Sequence, residues 1–183
     1  MYNPLTTNGH CDEYVRFVNP ETVLLAEVDS TERDPISLEN AKRLATAYNI
    51  LKAATDQDGH PLSILRIPLP KHTFVDLQSG DGVYDVISTF TYKDGSVFPK
   101  GKLVKIITAS SYLNFLIAND CVLMPVYWKT GGDLSVKIRD EEALLVLQSV
   151  FPKKKIIPID ALAVNMGGGG IHCISRNQPV VNQ

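Results

Sequence analysis

Cysteine is scarce in this chain, tryptophan scarcer, and an excess of charge of either sign is missing. The 183 residues hold three cysteines, Cys11, Cys121 and Cys173. That number is odd and too small for the disulfide framework of a compact secreted domain, so reduced thiols in a cytoplasmic protein are expected. Eighteen Lys and Arg stand against 20 Asp and Glu, for a formal net charge of −2. Nothing in that balance draws the chain to nucleic acid or to an anionic membrane. The single basic cluster, Lys153 to Lys155, is expected to be a solvated loop before a strand. No apolar run reaches the ~18 to 20 residues that cross a bilayer. Residues 1–17 lack the basic and apolar parts of a leader peptide. Glycine and proline, 12 and 11 residues, are ordinary, and 44% of the chain is hydrophobic. Fibrous and disordered classes are therefore excluded, and residues 1–183 are expected to form one domain with a real core.

What is present is a repeat. Residues 14–18 (Tyr-Val-Arg-Phe-Val), a turn at Asn19-Pro20-Glu21, and residues 23–25 (Val-Leu-Leu) read as two short strands. Residues 112–116 (Tyr-Leu-Asn-Phe-Leu), a turn at Asn119-Asp120, and residues 122–124 (Val-Leu-Met) read the same way, with one more residue in the turn. A helix follows each pair. Ser37 is expected to cap the first, with Leu38, Ala41, Leu44, Ala45, Tyr48 and Leu51 on its apolar face. Asp140 is expected to cap the second, which buries Ala143, Leu144, Leu147 and Val150. A further strand closes each unit, at residues 63–67 and 155–159. The unit is strand–strand–helix–strand, over about 13–67 and 111–159. Between the copies, residues 68–101 are rich in turn signals, Lys93-Asp94-Gly95 among them, with strands expected at 86–92 and 103–108.

Chemistry concentrates in two places. Residues 167–170 are four glycines, followed by Ile171, His172 and Cys173. Glycines let the backbone approach a ligand closely, and a cysteine on a strand at 171–175 beyond them is placed to act as a nucleophile. The same residues also read as a flexible hinge before an inert cysteine. His172, next to Cys173 on a strand, would face the other way. The second place is Gly9-His10-Cys11-Asp12-Glu13. In an extended segment His10 and Asp12 share a face, as a proton-transfer group and a carboxylate for a cation, or as parts of a polar loop. No pair of His10, Asp12 and Cys173 has zinc-finger or zinc-ribbon spacing, and no metal is expected. No Lys-Ser/Thr follows the glycines, so no phosphate loop or cofactor is expected.

Residues 9–17 resemble the Gly-His-x-Asp segment of the agmatine deiminase and bacterial peptidylarginine deiminase family. Residues 167–173, with Ile174 and Gln178-Pro179 after them, are similar to its glycine-rich approach to a nucleophilic cysteine. Ser111-Tyr112-Leu113-Asn114-Phe115 and Phe151-Pro152 fall where that family has similar stretches. The resemblance places the chain in the guanidine-group-modifying superfamily. It implies an α/β fold of ββαβ units, here a partial five-bladed α/β-propeller with about half of the ring. It implies that Cys173 attacks a guanidinium carbon, that His10 is the general acid and base, and that Asp12 grips the guanidinium. The implied reaction releases ammonia, passes through a cysteine thiouronium adduct and yields a ureido product. Agmatine is the first expected substrate, in polyamine (putrescine) biosynthesis, with arginine and protein arginine as alternatives. Family members are roughly twice this length, and their N-terminal half supplies two more acidic residues and a tryptophan-rich motif. The chain is therefore expected to be weak or inactive alone, and to need a second copy or an N-terminal chain. The alternative from another class is a non-catalytic module that binds arginine-like groups or another subunit.

Overall fold

A computed structural model describes residues 9–92 and 95–178. The chain enters through a 3-10 turn, Cys11–Glu13, and forms an antiparallel hairpin of β1 (Val15–Asn19) and β2 (Thr22–Glu27). Helix α1 (Pro35–Ala53) then carries it back, so that β3 (Ser63–Pro68) pairs parallel with β2. A parallel neighbour requires such a crossover, because a tight turn can only reverse the chain. Val23, Leu24, Leu25 and Ala26 of β2 are all fully buried. An unbroken apolar run of this kind belongs to a strand covered on both faces.

The middle of the chain forms β4 (Phe74–Leu77), the short helix α2 (Gly82–Ile87) and β5 (Val104–Ile107), with β4 and β5 antiparallel. Their side chains build a small core of Leu77, Tyr84, Ile87, Phe98, Val104 and Ile106. The second unit repeats the topology of the first. β6 (Leu116–Ile117) pairs antiparallel with β7 (Cys121–Val126), and α3 (Leu134–Val150) leads to β8 (Lys155–Asp160), parallel to β7. Helix α4 (Leu162–Met166) then delivers the chain to the glycines. The main core draws on both units, joining Leu24, Leu25 and Ile67 to Tyr112, Phe115, Met124 and Leu147. Each such buried side chain contributes about 1.5 to 3 kcal/mol. Among the described residues, no helix is long and apolar enough to cross a membrane.

Several local expectations give way to tertiary packing. Helix α1 starts at Pro35 and is capped by Asp34, whose Oδ1 accepts from Ile36 N and Ser37 N at 3.0 Å each. Proline suits the first helical position, where its missing N–H has no partner to lose. Ser37, displaced from the cap, is buried inside the helix and donates to Glu32 Oε2 at 2.9 Å. The helix turns Ser37, Asn40 and Leu44 inward, and of the expected apolar face it leaves Leu38, Ala41 and Ala45 exposed. Helix α3 is capped by Asp133, not Asp140, and its expected apolar face does turn inward. Residues 112–115 are not strand, so β6 keeps only two residues. Residues 82–87 are helical where part of a strand was expected, because Tyr84 and Ile87, three apart, fill the small core. Residues 171–174 form a turn, not a strand. The expected turn at 93–95 lies in part outside the described residues, as does Pro179.

Asp140 is misjudged as a cap because it has a larger role. Buried on α3, its Oδ1 accepts from Tyr112 Oη at 2.6 Å, and its Oδ2 from Tyr127 N at 3.0 Å and Trp128 N at 2.8 Å. It thereby fixes the helix to the end of β7 and to the segment before β6. Burial and this carboxylate hold the Tyr112 phenol well above its ordinary range. Substituting Asp140→Ala leaves the buried Tyr127 N–H, the part-buried Trp128 N–H and a buried phenol without this acceptor, at roughly 1 to 3 kcal/mol for each buried group. Urea denaturation is expected to show a loss on the order of 3 kcal/mol or more, and Tyr112→Phe a smaller loss.

Candidate active site

Three distant segments meet at one side chain. Asn114, fully buried in the segment before β6, aims its amide at the 3-10 turn and at the turn after the glycines. Its Nδ2 lies 3.0 Å from Asp12 Oδ2, 3.1 Å from Glu13 Oε1 and 3.2 Å from Cys173 Sγ. Its Oδ1 accepts from His172 N at 2.8 Å and from Cys173 N at 3.4 Å. Cys173 Sγ lies 3.3 Å from Asp12 Oδ2 and 3.9 Å from Glu13 Oε1. A buried amide that lost these partners would cost several kcal/mol, so the side chain locks the two turns together.

The surroundings hold Asn114 in place. Ser111 Oγ donates to Glu13 O at 2.7 Å, and Tyr127 Oη accepts from Ser111 N at 2.8 Å. Arg16 of β1 donates to the carbonyls of Leu113 at 3.2 Å and Phe115 at 3.1 Å, and lies over the Phe115 ring. The glycines supply room. Asn165 of α4 donates to Gly169 O at 2.8 Å, and Gly168 takes a φ of +89° that favours glycine. At Gly170 a Cβ would sit 2.4 Å from Asn114 Oδ1, so only glycine lets the chain pass so close to the amide.

The two carboxylates live in different environments. Burial works to raise Asp12. Hydrogen bonds from Cys173, His172 and Asn114, with the charge of His172, outweigh it and hold this carboxyl below its ordinary range. Glu13 is 5% exposed, and its Oε2 is buried without a hydrogen-bond partner among the described residues. Burial, and then the charge of Asp12, push Glu13 up to about 7. The Cys173 thiol is also raised, by desolvation and by Asp12. The sulfur therefore holds its proton more firmly than a free thiol, and a neighbouring cation would favour the thiolate.

Asp12 and Cys173 are thus brought together. His10 lies exposed at the entrance to the 3-10 turn, where it lines an open cavity of about 730 Å³ with Gly167, Gly168, Met166 and the apolar side of α2. The segment is not extended, so the expected shared face of His10 and Asp12 is replaced by a tight turn. His172 is the imidazole beside Asp12, its Nδ1 3.0 Å from Oδ2. It faces the site because residues 171–174 turn, whereas a strand would have pointed it away. Sequence reasoning missed Asn114 and Glu13 as site residues. The signal for Asn114 is a lone amide inside the apolar run Tyr112 to Leu116, where a buried polar group needs partners. Elsewhere Glu32, Asp34 and His72 bring ligand atoms within 4.8 Å of one another. Their donors are engaged with Lys71, the α1 cap and Ser37, as a structural latch requires.

Because folding raises Glu13, its contribution to stability is fully present below its ordinary value near 4.5 and is lost as pH rises through about 7. Glu13→Gln keeps the uncharged form at every pH. The variant is expected to lack this decline and to gain on the order of 3 kcal/mol over the parent above neutrality, since each unit is ~1.4 kcal/mol. Denaturant midpoints across that pH range test it.

Comparison with known proteins shows the family to which the chain belongs. Residues 2–179 match the family described as Porphyromonas-type peptidyl-arginine deiminase. The agmatine deiminase of Pseudomonas aeruginosa is 32% identical over 98% of this chain, and that of Medicago truncatula 31% identical over 99%. The chain spans 42% and 43% of those two proteins. The solved agmatine deiminase of Enterococcus faecalis superposes with a TM-score of 0.61 at 28% identity, covering 91% of this chain and 39% of that one. The match extends over the 3-10 turn, Asn114 and the cysteine turn alike, and on it the chain belongs to the Porphyromonas-type peptidyl-arginine deiminase family.

Proposed function

We propose that the chain is the C-terminal part of a guanidine deiminase, agmatine the first substrate, and that Cys173 is its nucleophile. The observation that supports this most is the meeting of the Cys173 thiol with Asp12, Glu13 and Asn114, two carboxyls and an amide within reach of one sulfur. A guanidinium is planar, delocalised and cationic, so it seeks carboxylates in its plane. Asp12, kept ionised by its hydrogen bonds, is suited to grip two of its N–H groups. That places the electrophilic carbon at the sulfur, and the bound cation favours the thiolate that must attack.

The reaction then runs in two halves. The sulfur lone pair forms a C–S bond, and the C–N bond breaks as an imidazole protonates the departing ammonia. A thiouronium adduct remains. Water, giving a proton to the same imidazole, adds to the carbon. The C–S bond breaks, the thiol is restored, and a ureido product leaves. The resemblance assigns the imidazole to His10, at the cavity rim. His172 is a second reading, favoured by its 3.0 Å contact with Asp12.

In this reading residues 1–183 are one domain and the two three-stranded units are blades of a five-bladed ring of which the chain holds about half. The remaining acidic residues come from the part of the family fold that the chain does not span, supplied by an N-terminal segment or chain, or replaced by a second copy. The cellular setting would be cytoplasmic polyamine synthesis, with protein arginine as the alternative substrate.

Purified protein, alone and mixed with the N-terminal part of a relative, should be assayed for ureido product and ammonia from agmatine. Turnover abolished by Cys173→Ala is expected in at least the mixture, with His10→Gln and His172→Gln identifying the imidazole by the larger loss, roughly 10²-fold or more. Folded mixtures that release no ammonia from agmatine or protein arginine would overturn the reading.

A further inference from the structure

Asp12 and Glu13 both face the Cys173 sulfur, yet their surroundings assign them different tasks. Asp12 Oδ2 is approached by three donors at once, from His172, Asn114 and the thiol itself. An oxygen so surrounded stays anionic. Among the described residues Glu13 has a single donor at Oε1 besides the thiol, the shared Asn114 amide, and nothing at Oε2. It is also buried, at 5% exposure. When a guanidinium pairs with Asp12, it competes for the oxygen that now faces the thiol. The carboxylate then left to the sulfur is Glu13.

We propose that Glu13 is the acceptor of the Cys173 proton. The inference rests on the reading of Cys173 as nucleophile and adds to it the route by which the sulfur becomes one. The S–H bond breaks with its electron pair kept on sulfur, and an O–H bond forms on the Glu13 carboxylate. A bound cation, a thiolate and a neutral carboxylic acid replace a cation, a thiol and a carboxylate, so charge is conserved. The environments that push the two carboxyls apart, one held low and the other raised to about 7, fit this division. The other titratable groups around Glu13 do not substitute for it. Tyr127, held above its ordinary range mainly by burial, is a phenol that bonds Ser111. Arg16, in the field of Asp12 and Cys173, spends its N–H groups on the Leu113 and Phe115 carbonyls. His172 is engaged through Nδ1 with Asp12.

The test alkylates Cys173 with chloroacetamidine, which carries the planar cation, and with neutral iodoacetamide, each rate taken relative to N-acetylcysteine. In the parent protein the amidine rate is expected to be selectively enhanced and to rise along a limb near pH 7. Glu13→Gln is expected to slow the amidine roughly 10- to 100-fold at neutral pH. Its limb should move toward the alkaline range of the thiol, with iodoacetamide little changed. A Glu13→Gln protein that reacts with the amidine at the parent rate and pH profile overturns the proposal. If that variant does not fold, the parent profile decides alone, since absence of a near-neutral limb also overturns it. A parent protein with no selective enhancement by the amidine overturns the deiminase reading itself, and this inference with it.

Discussion

A buried amide must find donors and acceptors inside the protein, and the site is organised by the way Asn114 does so. Its Nδ2 turns to the two carboxylates and the sulfur, and its Oδ1 to the amides of residues 172 and 173. The turn with Asp12 and the turn with Cys173 lie at opposite ends of the sequence and share no strand; Asn114 ties both to the segment before β6, beside the direct contacts of His172 and Cys173 with Asp12. The flanking residues are those a fixed amide needs: Tyr112 and Phe115 anchored in the core, Ser111 tied to Glu13 and Tyr127, and Gly170 without a side chain.

The repeat explains where these residues sit. In both units the chain makes a hairpin, crosses back through a helix and adds a parallel strand. The segment just before the first strand lies in each case at the same end of its unit. Asp12 and Glu13 precede β1, and Asn114 precedes β6, so two like ends face each other. The polypeptide that follows the second unit returns to that end through α4 and the glycines. Repetition of a stable unit thus brings chemically unlike residues face to face.

Electrostatics then separates neighbours in sequence. Asp12 and Glu13 differ by one methylene, and as free side chains they would titrate closely. Hydrogen bonds from three groups keep one ionised, while burial without a partner and the adjacent negative charge raise the other. The same burial, together with Asp12, raises the Cys173 thiol. In the proposed reading the ionised Asp12 beside the Cys173 thiol attracts a cation, and a planar cation with several N–H groups can share that carboxylate.

Much of this was legible in the residues. The alternation of short apolar runs with turn signals specified β1, β2, β3, β7 and β8, since strand pattern and turn chemistry agree locally. The glycines before Cys173 and the Gly-His-x-Asp segment marked both halves of the site. What local pattern could not specify depends on contacts between distant segments. Ser37 and Asp140 are good capping residues, yet Pro35 and the needs of the Tyr127 and Trp128 backbone amides assigned them other roles. His172 faces the site because Asn114 binds the backbone of residues 172 and 173 and bends it into a turn. Glu13 became distinct from Asp12 because one side of the turn is buried and the other is not. Periodicity and turn propensity act over a few residues, and the sequence by itself determined the units. Desolvation and long-range hydrogen bonds exist only once those units pack, and they decided the site.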